Sequence, residues 1–149
     1  MMAIYLLIFV RLFTLTECIF CDIIGDKLPY HMVYEDNDCL VILDKYPIDN
    51  GHSLIITKKH SEKITDMNTD DVSRLFSKIP KIANAIIKAT NADAFSIAQN
   101  NGKAAKQIIP HVHIHIIPRY DATGTLWTKR KIMNDNELSE LAKKIKNCF

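Results

Sequence analysis

No charge of one sign dominates this chain. Its 19 basic and 17 acidic residues are scattered over 149 positions and leave a net charge of +2, so there is no strong field to gather nucleic acid or a membrane surface, and the expected partner is a small molecule. Cysteine is scarce as well. The four stand at positions 18, 21, 39 and 148, and only Cys18-Ile19-Phe20-Cys21 is a compact pair, which argues against a secreted disulfide framework and for half of a zinc site or a redox pair. Cys39 and Cys148 carry no motif and read as ordinary thiols. Internal repeats, low-complexity tracts and an interdomain linker are also missing, and a chain of this length buries roughly two thirds of its unfolded surface in one core.

The first ten residues, Met1 to Val10, are apolar, yet two familiar explanations do not suit them. A membrane-spanning helix needs about 20 predominantly apolar residues, and Arg11 interrupts this stretch. A signal peptide opens with a basic segment and closes at small residues, whereas the first positive side chain here is Arg11 and Glu17 stands where a small residue belongs. The expectation is an apolar extension or an over-extended gene start over 1–16, a single domain over 17–149, no stable membrane span and a cytoplasmic location.

Along that domain, Met32-Val33-Tyr34-Glu35 and Leu40-Val41-Ile42-Leu43-Asp44 read as strands around the polar turn Asp36-Asn37-Asp38. His52 to Thr57 supplies a third strand, Ala94 to Ala98 a fourth, and His111 to Ile117 a fifth, which Pro118 should end. From Thr69 as N-cap, apolar residues recur at Val72, Leu75, Phe76, Ile79, Ile82, Ala83, Ile86 and Ile87, the spacing of a helix facing a core, with a kink expected at Pro80. A last helix, Asp135 to Lys146, buries Leu138, Leu141 and Ile145. The fold class is α+β, an antiparallel sheet of about five strands with two main helices packed on it.

The chemistry concentrates in His111-Val112-His113-Ile114-His115. Successive strand residues alternate faces, so the three imidazoles share one face while Val112 and Ile114 turn to the core. A single catalytic zinc held by all three is a poor reading, since positions i and i+4 on a strand lie ~13 Å apart and zinc holds each nitrogen at ~2.0–2.1 Å. A row of imidazoles suits an extended anion. Imidazole attacks phosphorus as a neutral nucleophile, donates to phosphate oxygens and passes protons near neutral pH, so phosphoryl or nucleotidyl transfer is the natural chemistry.

His111-Val112-His113-Ile114-His115-Ile116-Ile117 resembles the His-φ-His-φ-His-φ-φ signature (φ apolar) of the histidine-triad superfamily. Cys18-Ile19-Phe20-Cys21, Val33-Tyr34-Glu35-Asp36, Asp44, Gly51-His52, Lys58-Lys59-His60, Asn100-Asn101-Gly102, Gln107 and His115-Ile116-Ile117-Pro118-Arg119 extend the likeness over roughly residues 17–120, closest to the bacterial Hint-like branch with an N-terminal Cys pair. The resemblance implies a homodimer whose sheets join, and a two-step reaction in which His113 attacks the α-phosphorus of a purine nucleotide, expels an amine or a phosphate, and leaves a nucleotidyl-histidine for water to hydrolyse. It implies that His115 bonds the phosphate oxygens, that His111 belongs to the triad, and that His52 joins the network behind the nucleophile. Gln107 would lie near the scissile bridge, Asp44 on the ribose hydroxyls, Asn100 on the phosphate side, and Phe20, Ile23 and Ile42 around the base. It also implies a structural zinc on Cys18, Cys21, His60 and His111. No organic cofactor and no nucleic acid is expected.

The chain departs from the family pattern just before the triad. Ile108 stands where a hydroxyl often assists the leaving group, and Lys106 replaces a glycine. A nucleoside phosphoramidase is the first expectation, with a dinucleoside polyphosphate hydrolase or a nucleotide-binding module of weak or no catalysis as alternatives.

Overall fold

A computed structural model of the chain describes residues 17–125, 127 and 132–149; the apolar extension expected over 1–16 lies outside them. A short helix α1 (Ile19–Ile24) leads into strands β1 (Met32–Glu35), β2 (Cys39–Leu43) and β3 (Ser53–Thr57), helices α2 (Thr69–Ser77) and α3 (Ile79–Thr90), strands β4 (Ala94–Ala98) and β5 (His113–Arg119), and a final helix α4 (Asp135–Lys146). The five strands form one antiparallel sheet in the order β1-β2-β3-β5-β4. None of the helices in the described residues is long and apolar enough to cross a membrane.

The β1–β2 turn is built on Asp36, whose Oδ1 accepts from the Asp38 and Cys39 amides at 2.8 and 3.0 Å while Tyr34 Oη and Lys78 Nζ bond Oδ2. Burial opposes the charge, but Lys78 and the backbone amides outweigh it and hold this carboxyl well below the usual carboxylate range.

Two elements differ from expectation. The helical stretch after residue 68 is two helices, not one kinked helix. Asn68, rather than Thr69, is the N-cap and accepts from the Asp71 amide at 2.8 Å, and the break falls at Lys78, so that Pro80 sits in the first turn of α3, where no amide hydrogen is needed. The histidine strand begins at His113, not His111, and runs through Pro118 to Arg119. Ahead of it, the His111 amide bonds Ile109 O and the Val112 amide bonds Ser61 O, both at 2.8 Å and both outside the ladder. Past Ile116 only β4 borders the strand, the half-open setting in which a strand tolerates proline.

Each sheet face has its own core. Val33, Val41, Leu43, Ile55, Val112, Ile114 and Ile116 pack with α2, α3 and α4, and Leu40, Ile42, Leu54 and Ile56 pack with Phe20 and Ile23 of α1. The register sets the functional side chains on the second face, because Ile56 pairs with His113 and Leu54 with His115.

Candidate functional site

Cross-strand partners share a face, so the rows Leu40–Ile56–His113 and Ile42–Leu54–His115 carry the apolar surface of β2 and β3 straight into the two imidazoles. Phe20 closes this face from α1, with its ring edge-on to His113 at 5.0 Å and to His111 at 5.8 Å between centroids. Phe20, Ile23 and Ile42, separated by up to 22 positions, thus meet in one apolar cluster.

His113 is buried, and its Nδ1–H donates to the backbone carbonyl of His111 at 2.6 Å. That bond fixes the proton on Nδ1 and leaves the lone pair on Nε2. Burial pushes the His113 pKa below its ordinary value, against the opposing pull of the His111 carbonyl and Asp44, so the ring is held neutral.

A second chain of bonds fixes His115. The Ile48 amide donates to His52 Nδ1 at 3.0 Å, so His52 carries its proton on Nε2 and donates to His115 Nδ1 at 2.9 Å; His115 in turn carries its own proton on Nε2. Asp44 Oδ2 stands 3.7 Å from His52 Nδ1, and its Oδ1 accepts from the Tyr46 amide at 2.9 Å. Asn100 lies two residues beyond Ala98, the last residue of β4 and the partner of His115. Gln107 is buried, and its amide braces two backbones, Oε1 accepting from Gly102 N and Nε2 donating to Glu62 O, each at 2.6 Å.

The first histidine of the run turns away from this pair. His111 Nε2–H donates to Thr57 O at 2.7 Å, which leaves a single lone pair on Nδ1. Facing that lone pair are Cys18 Sγ at 3.3 Å, Cys21 Sγ at 3.6 Å and His60 Nδ1 at 3.1 Å, and Cys21 Sγ is also 3.3 Å from His60 Nδ1. Hydrogen bonds alone cannot satisfy three partners on one lone pair. A tetrahedral zinc, with Zn–S of about 2.3 Å and Zn–N of about 2.0–2.1 Å, sets S···N edges of roughly 3.5 Å and an N···N edge of roughly 3.4 Å, so the four donors are spaced as such an ion requires. Burial, with Cys18 alongside, pushes the Cys21 thiol up to about 11; a bound cation would reverse that.

The histidine run is therefore split: His111 belongs to the group Cys18–Cys21–His60–His111 and His115 to the group Asp44–His52–His115, with His113 between them on the strand, while the Gln107 side chain is tied to Gly102 N and Glu62 O. Sequence reasoning missed the groups that set the tautomers, namely the Thr57 and His111 carbonyls and the Ile48 amide. They are backbone atoms and leave no signal in residue identity.

Against known proteins, the HIT domain signature matches residues 26–122. The adenylylsulfatase HINT3 of Arabidopsis thaliana is 44% identical over 130 residues, covering 84% of this chain and 66% of the plant protein. The adenosine 5'-monophosphoramidase HNT1 of Saccharomyces cerevisiae is 38% identical over 109 residues, covering 73% of this chain and 66% of the yeast protein. The crystal structure of a zinc-bound histidine triad family protein from Mycobacterium smegmatis superposes with a TM-score of 0.79 at 32% identity, covering 89% of this chain and 92% of that one.

Proposed function

This chain belongs to the HIT domain family, and from that premise we propose that it is a nucleotide hydrolase of the nucleoside phosphoramidase type, working through a nucleotidyl-histidine at His113. The observation that carries the reading is the 2.6 Å bond from His113 Nδ1–H to His111 O, which holds the proton on Nδ1 and leaves Nε2 unprotonated and able to attack. Attack by Nε2 on the α-phosphorus forms the P–N bond and breaks the bond to the leaving group. The ring becomes cationic, and its bond to the His111 carbonyl strengthens as charge develops, a contact worth more in the transition state than before it. Water then attacks phosphorus, loses a proton and releases the nucleoside monophosphate, which restores neutral His113.

The remaining residues bind and orient. His115 Nε2–H bonds a phosphate oxygen, with His52 fixing its tautomer. Asp44 accepts the ribose hydroxyls, Asn100 steadies the phosphate side, and Phe20, Ile23 and Ile42 receive a purine. Gln107 shapes the approach to the scissile bridge by holding its loop. Cys18, Cys21, His60 and His111 would hold zinc as a closed structural site, which would supply a cross-link between α1 and the start of the nucleophile strand rather than a catalytic step. The free cysteines of the described residues suit a reducing, cytoplasmic setting.

The relatives' activities support hydrolysis at phosphorus for this chain, on a phosphoramidate or an adenylyl sulfate. Purified protein should turn over adenosine 5'-phosphoramidate or adenylyl sulfate with release of AMP. Binding of AMP without turnover of either would establish the nucleotide-binding module instead.

We also propose the homodimer. Among the described residues β4 has β5 on one side and no strand on the other, and Phe95 and Ile97 on it are 38% and 46% exposed, an apolar edge of the kind that a second sheet covers. Light scattering should give twice the chain mass, falling toward one chain mass in Phe95→Lys/Ile97→Lys; a wild-type mass of one chain would exclude the dimer.

A further inference from the structure

A closed circuit of bonds returns from His115 to the end of its own strand. His115 Nδ1 takes the Nε2–H of His52, and His52 Nδ1 takes the Ile48 amide. Ile48 belongs to the loop 45–51, which the segment just after β5 holds in place: Tyr120 Oη donates to Asn50 O and Thr123 Oγ1 to Asp49 Oδ2, each at 2.9 Å. Tyr120 follows Arg119, the last residue of β5. Within the loop, Asp49 Oδ1 accepts from the Asn50 amide at 2.8 Å and Asp49 O from the His52 amide at 3.1 Å. The loop also lies close against the same strand, since a Cβ on Gly51, whose φ is +89°, would come within 2.7 Å of Thr90 Cγ2 and 3.2 Å of Pro118 Cγ. Only glycine fits there.

The Ile48 amide decides between two proton arrangements. A peptide N–H only donates, so while it stays in place His52 Nδ1 must accept, His52 Nε2 carries the proton, and His115 presents Nε2–H. Without it the pair has a second arrangement. His52 then carries its proton on Nδ1, where Asp44 Oδ2 stands 3.7 Å away, its Nε2 accepts from His115 Nδ1, and His115 Nε2 is left with a bare lone pair. Such a lone pair repels a phosphoryl oxygen to which an N–H would donate. Resting on the nucleotidyl-histidine reading above, we propose that Tyr120 and Thr123 are positioning residues for the reaction: by holding the Ile48 amide against His52 they keep His115 in the tautomer that donates to the phosphoryl group. Negative charge on that group develops in the transition state, so the effect falls on kcat.

The test uses the full chain as wild type, as Tyr120→Phe/Thr123→Val, which removes the two hydroxyls, and as Ile48→Pro, which removes the amide hydrogen. kcat and KM are measured on adenosine 5'-phosphoramidate and adenylyl sulfate, and the tautomers of His52 and His115 are read from two-bond correlations to the ring nitrogens. Wild type should show Nε2–H alone on both rings. The double variant should lose about five- to tenfold in kcat, the worth of one hydrogen bond, with KM within about threefold and with the Nδ1–H form of His115 now present. Ile48→Pro should show the same change to a larger extent; if it does not fold, the double variant decides alone. A double variant that melts lower yet keeps its kcat and a single His115 tautomer has lost only structural bonds, and overturns the proposal. So does a fall in kcat with the His115 tautomer unmoved, or a wild type with Nδ1–H on His115. These results leave the hydrolase reading intact, whereas a wild type that turns over neither substrate removes that reading and the positioning role with it.

Discussion

His113→Ala should lose at least about 10³-fold in turnover while AMP affinity stays within about tenfold, because the nucleophile contributes to the transition state far more than to the bound ground state. Both quantities are to be measured on one folded preparation, by AMP release and by calorimetric titration. The pH profile gives a second reading of the same residue. Burial lowers the pKa of His113 from the ordinary 6.5, so the neutral, attacking form persists further into acid, and the acid limb of kcat/KM should have its midpoint below 6.5. A variant that keeps more than a few per cent of activity would remove His113 as the nucleophile.

The second large effect belongs to the Cys–His cluster. Wild-type protein purified in the absence of added metal should carry about one zinc per chain, and Cys18→Ser/Cys21→Ser should carry none. A structural zinc binds the folded state and not the unfolded one, so its loss should remove about 3–5 kcal/mol of apparent stability, which in a chain of this size is about 6–20 °C in Tm. The variant should also bind AMP more weakly, since Phe20, which packs against both His111 and His113, sits between Cys18 and Cys21 at the start of α1. Elemental analysis and a melting curve decide the matter. Reduced, well-folded wild type with no zinc would dissolve the cluster as a metal site.

Much of this arrangement was legible in the sequence because it rests on periodicity. The alternation in His113-Ile114-His115-Ile116 already separates a core face from a chemical face, and the strands around Val33, Ile42, Ile55 and Ile97 follow from short apolar runs between turns. The last helix is found over Asp135–Lys146, as its spacing requires. What local pattern could not give was any decision made by distant contacts. Lys78, where one helix ends and the next begins, reaches back to Asp36 and Asp38, a pairing across about 40 positions that no periodicity shows, and Pro118 stays within a strand because β3 has already ended beside it. Composition offers no reason to prefer His60 over His31 as the partner of Cys21; His31 instead faces Asp135 at 3.4 Å, and the choice of His60 came from resemblance to a family, with 39 positions separating it from the cysteine it meets. The tautomers of His52, His111 and His113 were beyond reach for a simpler reason, since the groups that set them are a backbone amide and two carbonyls.

The account stands or falls on a covalent nucleotide at His113, and that species can be looked for directly. Wild-type protein mixed with adenosine 5'-phosphoramidate or adenylyl sulfate is quenched within one turnover into alkaline denaturant, where a phosphorus–imidazole bond survives, then digested and mass-analysed. An adenylyl group on the peptide that contains His113, absent from His113→Ala, is the predicted result. Turnover at full rate with no adduct and with inverted configuration at phosphorus would show that water attacks in a single step, and would contradict it.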